Sequence, residues 1–323
     1  MPNNRIPKVE VIESRVDRLK FELSQTDVSM ANSLRRIMIS EVPTLCIDEV
    51  EFSENTSVLV EEILAHRVGF IPLRSRRPMK DWNYAHECDC GGDSECKKCS
   101  VTLTLDVDFD TIMREREQTD DTPVSVVPVT SRHLQVAYDV PDVEVVHFSS
   151  DAEARAIHDD EGVLIVKLGP GQRVSMTCTA RKGIGKEHAK WSPVCTVALK
   201  IDPVLKINEE MLADFSEDQK AAFANVCPTG VFQFNEGNRT VEIVDAAACI
   251  FCKECIYYAE EARKDPNDPL VVEVKHSQDR FVFTIETTGA LSPSEVVHDA
   301  FAVLQAKLKK MVRATMKLTA ELQ

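Results

Sequence analysis

The last thirty residues constrain the fold of this chain more than any other stretch. Val297, Phe301, Leu304, Leu308, Met311, Thr315, Leu318 and Leu322 recur alternately four and three residues apart. That spacing is the a/d seam of a heptad repeat, carried for nearly four heptads. Just before it, Ser292-Pro293-Ser294-Glu295 forms a capping box with proline at the first helical position. At about 3.6 residues per turn the helix exceeds about seven turns, longer than a small sheet can cover. Part of the seam is therefore expected to meet another chain, and the rest to pack on a sheet of its own.

Composition narrows what such a helix can belong to. Hydrophobic residues make up 43% of the 323 and charged residues 28%, a globular balance with enough apolar mass for packed cores. No apolar run approaches the ~18 residues of a membrane span, and MPNNRIPKVEVIESR has no signal-like apolar core. The expectation is a soluble intracellular protein that does not enter a membrane. Acidic residues outnumber basic ones by 53 to 38, giving a formal net charge of -15. Nucleic-acid phosphates repel such a chain on average, so work near DNA is expected to run through protein partners.

Residues 8–23 read as two short strands around Ser14–Asp17. A helix follows, capped by Thr26 or Asp27 and closed by Pro43, with Ala31, Leu34, Met38 and Val42 on one apolar face. Residues 44–75 read as strand, short helix (Val60–Val68) and strand. Val101, Leu103, Leu105, Val107 and Phe109 alternate strictly, as in a half-buried strand. Further strands are expected at Ser125–Val129, Gln135–Val140, Val163–Leu168, Arg173–Ala180 and Val194–Ile201, with a solvated segment at Ser149–Glu161. One helix is expected over 207–226, and a hairpin pairs Leu270–Val274 with Arg280–Glu286 across His276–Asp279. KLGPGQ is a turn and not a phosphate loop, because it lacks the Lys-Ser/Thr pair and a following helix.

Eight of the 11 cysteines fall into two groups, which in an intracellular chain point to metal before disulfides. Cys88, Cys90, Cys96 and Cys99 put four thiols within twelve residues, and Gly91 and Gly92 let the loop fold back. Four thiolates with no open position make a structural zinc site. His86 is near enough to substitute as a ligand, although such a histidine is more often a solvated neighbour. Cys249, Cys252 and Cys255 have the two-residue gaps that wrap a cubane cluster, and Cys227-Pro228 supplies the remote fourth ligand followed by proline. A 4Fe–4S cluster is favoured there over zinc, which prefers two pairs of ligands. Cys46, Cys178 and Cys195 stand alone and read as small buried hydrophobes. No catalytic set appears: Asp120-Asp121 and Asp159-Asp160 lie in polar loops, and His188 has no assignable nucleophile.

With these pieces placed, the chain resembles the α-like large subunits of archaeal and eukaryotic RNA polymerases over nearly its whole length. ANSLRRIMISEVPT (31–44), EEILAHRVGFIPL (61–73), KGIGKEHAKWSPV (182–194) and FTIETTGALSPSEVV (283–297) carry the likeness. The first is similar to the family's dimerisation helix, which also touches the second-largest polymerase subunit. The resemblance implies partner contacts from Leu34, Arg35, Arg36 and Met38, joined by Val297, Phe301, Leu304, Leu308 and Met311. The four-cysteine loop is similar to the polymerase II branch, since the counterpart in polymerases I and III usually lacks it. The ferredoxin-like cysteines resemble those of archaeal members. Animal and fungal members have the zinc loop without these cysteines, so a chain with both implies a eukaryote outside those groups.

The implied fold is α+β. A dimerisation domain of helices packed on an antiparallel sheet is split over 1–42, 194–206 and 268–323. A mixed-strand zinc-bearing domain is inserted at 43–193, and a small ferredoxin-like domain at 207–267. The implied role is a non-catalytic nuclear scaffold for mRNA transcription. Its partners would be the smaller α-like subunit, the two largest polymerase subunits and the small zinc-binding subunits, with DNA reached only indirectly. Three other readings stay open: the equivalent subunit of polymerases I and III, an iron–sulfur electron carrier, and a DNA-binding zinc protein. The absence of a flavin or nicotinamide loop counts against the carrier, and the net charge against the DNA binder.

Overall fold

The computed structural model describes residues 6–75, 82–91, 96–117, 125–136, 143–147, 162–263, 265 and 268–321. The segment expected at Ser149–Glu161 lies outside them. The chain divides into two compact units, one of Met1–Ile12, Lys20–Asn32 and Leu199–Phe283, the other of Glu13–Leu19, Ser33–Ala198 and Thr284–Gln323.

Two strands, β1 (Lys8–Ser14) and β2 (Arg18–Ser24), open the chain, followed by helix α1 (Val28–Ser40). Asp27 caps α1 by accepting from the Met30 N–H at 3.0 Å. Ala31, Leu34, Met38 and Val42 are buried, so the apolar face read from the sequence is the packed face. A four-stranded sheet runs β1–β2–β14–β11, where β11 is Val194–Ile207 and β14 is Val272–Thr287.

The second unit is built on a six-stranded antiparallel sheet. Its order is β7 (Gln135–Val136), β5 (Ser100–Asp108), β10 (Arg173–Ile184), β3 (Pro43–Asn55), β4 (Leu73–Ser75) and β8 (Val143–Val145). Val101, Leu103, Leu105 and Val107 are buried along β5 and alternate with more exposed residues. They pack with Leu45 and Ile47 of β3 and with Leu64 and Val68 of helix α2 (Glu61–Gly69). Helix α3 (Phe109–Glu117) and a two-stranded sheet of β6 (Val127–Thr130) and β9 (Leu164–Leu168) complete this core.

The first unit carries a separate core. Helices α4 (Glu209–Ala213) and α5 (Glu217–Asn225) stand where one helix was expected. The break follows from Ser216, whose hydroxyl accepts from Gln219 N–H while the Gln219 side chain accepts from Ser216 N–H, a capping box that starts a new helix. The hairpin β12 (Phe232–Asn235) and β13 (Thr240–Ile243) follows, then helix α6 (Glu254–Ala262). Phe223 of α5 meets Phe232 with ring centroids 5.1 Å apart.

The hairpin expected across His276–Asp279 does not form. Residues 272–287 are one strand, β14, lying between β2 and β11. No residue from Lys275 to Asp279 takes the positive φ a tight hairpin favours. Their polarity reflects exposure along a continuous strand, not a turn. The terminal helix α7 spans Pro293–Glu321, as its capping box dictates: Ser292 N–H donates to the Glu295 carboxylate at 2.8 Å.

Gly185 shows how closely the motif at 182–194 is fitted. A Cβ there would lie 2.5 Å from the carbonyl oxygen of Ile39, at the end of α1. At Gly69 the nearest contact would be an ordinary 3.6 Å. Gly185→Ala is expected to cost about 1–3 kcal/mol, and Gly69→Ala to be near neutral, in denaturant unfolding of the two variants.

Candidate metal centres and assembly face

The first cysteine group closes into one site. A turn at Cys96–Cys99 is fixed by Ser100 N–H donating to the Cys96 carbonyl at 2.9 Å, and β5 begins at Ser100. The core strand thereby anchors the second thiol pair. Asn83 N–H donates to the Lys98 carbonyl at 3.1 Å and ties the two arms together. Gly91 takes φ +68° and reverses the chain after Cys90, while Gly92 lies outside the described residues. The Cys88 and Cys96 sulfurs are 3.8 Å apart, those of Cys90 and Cys99 3.5 Å, and all four lie within 4.8 Å of one another. Four thiolates about 2.3 Å from a tetrahedral zinc would be about 3.8 Å apart. The group could hold a metal such as zinc. Burial, then the neighbouring thiols, push the Cys99 thiol up, and a cation at the centre offsets both effects. His86 stands outside the group, exposed and stacked on Tyr84 at 5.5 Å.

The second group is built differently. Cys227 follows α5 in a turn where its sulfur accepts from Val231 N–H at 3.5 Å. Burial raises its thiol, but the hydrogen bonds from Val231, Thr229 and Gly230 outweigh it, and its pKa is lowered. From Cys249 the chain coils through Phe251 and Lys253, both in the left-handed region at φ +57° and +67°. Phe251 N–H donates to the Cys249 sulfur at 3.5 Å, and Cys255 sits in the first turn of α6. Phe251 stacks on His276, centroids 4.1 Å apart, which fixes the strained loop on β14. Cys227, Cys249, Cys252 and Cys255 line one cavity with Leu205, Val231, Phe232 and Val274. Burial, then the other three thiols, push Cys255 up to about 11. Among the described residues, only the first group draws its sulfurs within 4.8 Å, so this second set is more open.

The candidate assembly face lies on α7. Pro293, Val296 and Ala300 are buried in the first turns, and the helix is exposed from Gln305 to Ala320. Val297 and Leu304 are half-buried, whereas Phe301, Leu308 and Met311 are 38%, 46% and 67% exposed. Val312, Met316 and Leu318 extend this uncovered apolar stripe. Lys307 reaches Glu41, just past α1, at 2.7 Å. Within α1 the expectation needs revision. Arg35 and Arg36 are accessible, but Leu34 and Met38 are 1% and 0% exposed. They lie on the packed stripe of the helix, so they shape its position and do not themselves face a partner.

A long helix with an uncovered apolar seam in an α+β chain with antiparallel strands is the form a dimerising subunit takes. The family described as the RNA polymerase Rpb3/Rpb11 dimerisation domain matches residues 20–308. An Arabidopsis thaliana protein named DNA-directed RNA polymerases II, IV and V subunit 3 is 42% identical over 305 residues, 94% of this chain and 90% of the relative. The Dictyostelium discoideum RNA polymerase II subunit rpb3 is 38% identical over 310 residues, covering 94% and 93%. The RNA polymerases I and III subunit rpac1 of the same organism is 30% identical over 318 residues, covering 96% and 82%. The chain belongs to the Rpb3/Rpb11 dimerisation family of RNA polymerase subunits.

The lone cysteines separate by burial. Burial pushes Cys46 and Cys178 up to about 12, as expected of small core residues. Cys195 is exposed instead, because it lies on β11, at the end of the four-stranded sheet. Alkylation of the native chain at pH 8 is expected to mark Cys195 and to spare Cys46 and Cys178 until unfolding, as read by peptide mass spectrometry.

Proposed function

We propose that this chain is the non-catalytic α-like subunit of the nuclear RNA polymerase II. It pairs with the smaller α-like subunit, and the heterodimer scaffolds the two largest subunits and the small zinc-binding subunits, reaching DNA only through them. The observation that carries this reading is the apolar stripe of α7, where Phe301, Leu308, Met311, Val312, Met316 and Leu318 are exposed on one helix. The greater identity to the Dictyostelium polymerase II subunit than to its polymerases I and III counterpart favours polymerase II. On this reading residues 43–193 and 207–267 are insertions into the dimerisation domain formed by 1–42, 194–206 and 268–323.

Leu304→Glu/Leu308→Glu tests it. Leu308 is exposed and Leu304 half-buried, so the chain keeps its helix by circular dichroism. Burying unpaired carboxylates at the seam should weaken the heterodimer on the order of a thousandfold. A heterodimer of normal affinity would refute the assignment.

Cys88, Cys90, Cys96 and Cys99 hold one structural zinc in this reading, and their sulfur spacing supports it. Cys227, Cys249, Cys252 and Cys255 hold a 4Fe–4S cluster that stabilises the small inserted domain. Support comes from four thiols converging on one cavity, from their wider separation, and from backbone N–H groups aimed at Cys227 and Cys249 sulfurs. Anaerobic preparation should give one zinc and about four irons per chain, with broad absorption near ~400 nm. Cys96→Ser should remove only the zinc, and Cys252→Ser only the iron. A colourless chain holding two zincs would show that the second set is a zinc site.

A further inference from the structure

We propose that the cations of α7 select its partner: they repel a second copy of this chain and require a partner helix flanked by acidic side chains. The inference rests on the reading of α7 as the heterodimer helix and adds the chemistry of what it binds. Between Ala300 and Ala320 the helix carries Lys307, Lys309, Lys310, Arg313 and Lys317 and no acidic residue, although the formal net charge of the chain is -15. Lys307 is taken up by Glu41. The other four are exposed and have no acidic partner among the described residues.

Their placement argues against a merely solvated face. Lys309, Arg313 and Lys317 follow one another at i,i+4, where like charges destabilise a helix and opposite charges would stabilise it. A surface helix serving only solubility gains by mixing signs at that spacing. Lys309 and Arg313 also share one shallow groove with Phe301, Leu304, Leu308 and Val312, so they border the apolar stripe itself. A second copy docked on that stripe would set Lys309 and Arg313 against the like-charged residues of the other copy at short range. A helix with carboxylates beside its own apolar seam would meet them with opposite charge, turning an unfavourable feature of the free helix into specificity.

The test is the affinity of the full chain for the smaller α-like subunit, at about 50 mM and about 500 mM salt, with and without Lys309→Glu/Arg313→Glu. Both positions are exposed, and the reversal at Arg313 places opposite charges at i,i+4 with Lys317 while the 309/313 pair stays like-charged as in the wild type, so the helix is retained. The wild-type heterodimer is expected to weaken about tenfold at the higher salt. The variant should bind about tenfold more weakly than wild type at low salt, with the gap closing as salt screens the charges. Equal affinities at low salt overturn the inference and leave the assembly reading standing. So does a variant that keeps its heterodimer and instead loses wild-type binding to duplex DNA, since the cations would then serve phosphates. Failure of the wild-type chain to form the heterodimer overturns the assembly reading and this inference with it.

Discussion

A helix docked by its first turns and bare along the rest is an unusual thing for a folded chain to keep, and most of what this structure offers a partner depends on it. Pro293, Val296 and Ala300 fix the start of α7, and Ser292 with Glu295 satisfies its first backbone donors. Beyond Leu304 the helix is exposed among the described residues, tied back only by Lys307 to Glu41, yet its residues are mostly Ala, Leu, Lys and Met, strong helix formers. Burying a large apolar side chain is worth about 1.5–3 kcal/mol. Phe301, Leu308, Met311, Val312, Met316 and Leu318 therefore leave a substantial driving force unspent in the lone chain. Intrinsic propensity keeps the rod formed, and association would supply the burial.

Helix α1 shows the complementary arrangement. Its stripe of Ala31, Leu34, Met38 and Val42 is consumed by the chain itself, leaving Arg35 and Arg36 accessible. The close approach of Gly185 to Ile39, with Lys186 N–H donating to the Ser40 carbonyl at 2.8 Å, pins the end of this helix.

Elements whose signal is local were legible in the sequence. The α7 capping box, the alternation along β5 and the stripe of α1 each rest on residues within a few positions of one another. The thiols of Cys88–Cys99 belong in the same group. What escaped depends on long-range context. His276–Asp279 has turn composition, but β2 and β11 flank β14 and offer it backbone partners on both sides. Leu34 and Met38 looked available because a stripe alone does not say which apolar surface will cover it. Ser216 is the exception, since its S-E-D-Q capping box was present in the sequence and would have split the helix expected over 207–226.

The two thiol sets differ in what metal would do for the fold. Cys88, Cys90 and Cys96 are half-exposed on a loop outside the sheet, with only Cys99 buried, so an ion there clips a surface loop onto the start of β5. Cys249 and Cys255 belong instead to the same core as Phe223, Phe232 and Val271. Around them the segment offers short helices, a hairpin of two four-residue strands and three non-glycine residues, Arg239, Phe251 and Lys253, held at positive φ. Backbone strain of that kind costs about 1–3 kcal/mol per residue and persists only where the surroundings over-determine it. A core of this size is near the limit of what apolar burial alone sustains. Metal ligation to these four thiolates would contribute its binding free energy directly to folding, because the unfolded chain presents no such site. An ion in the surface set would hold one loop, whereas one in the buried set would couple the order of the surrounding core to occupancy.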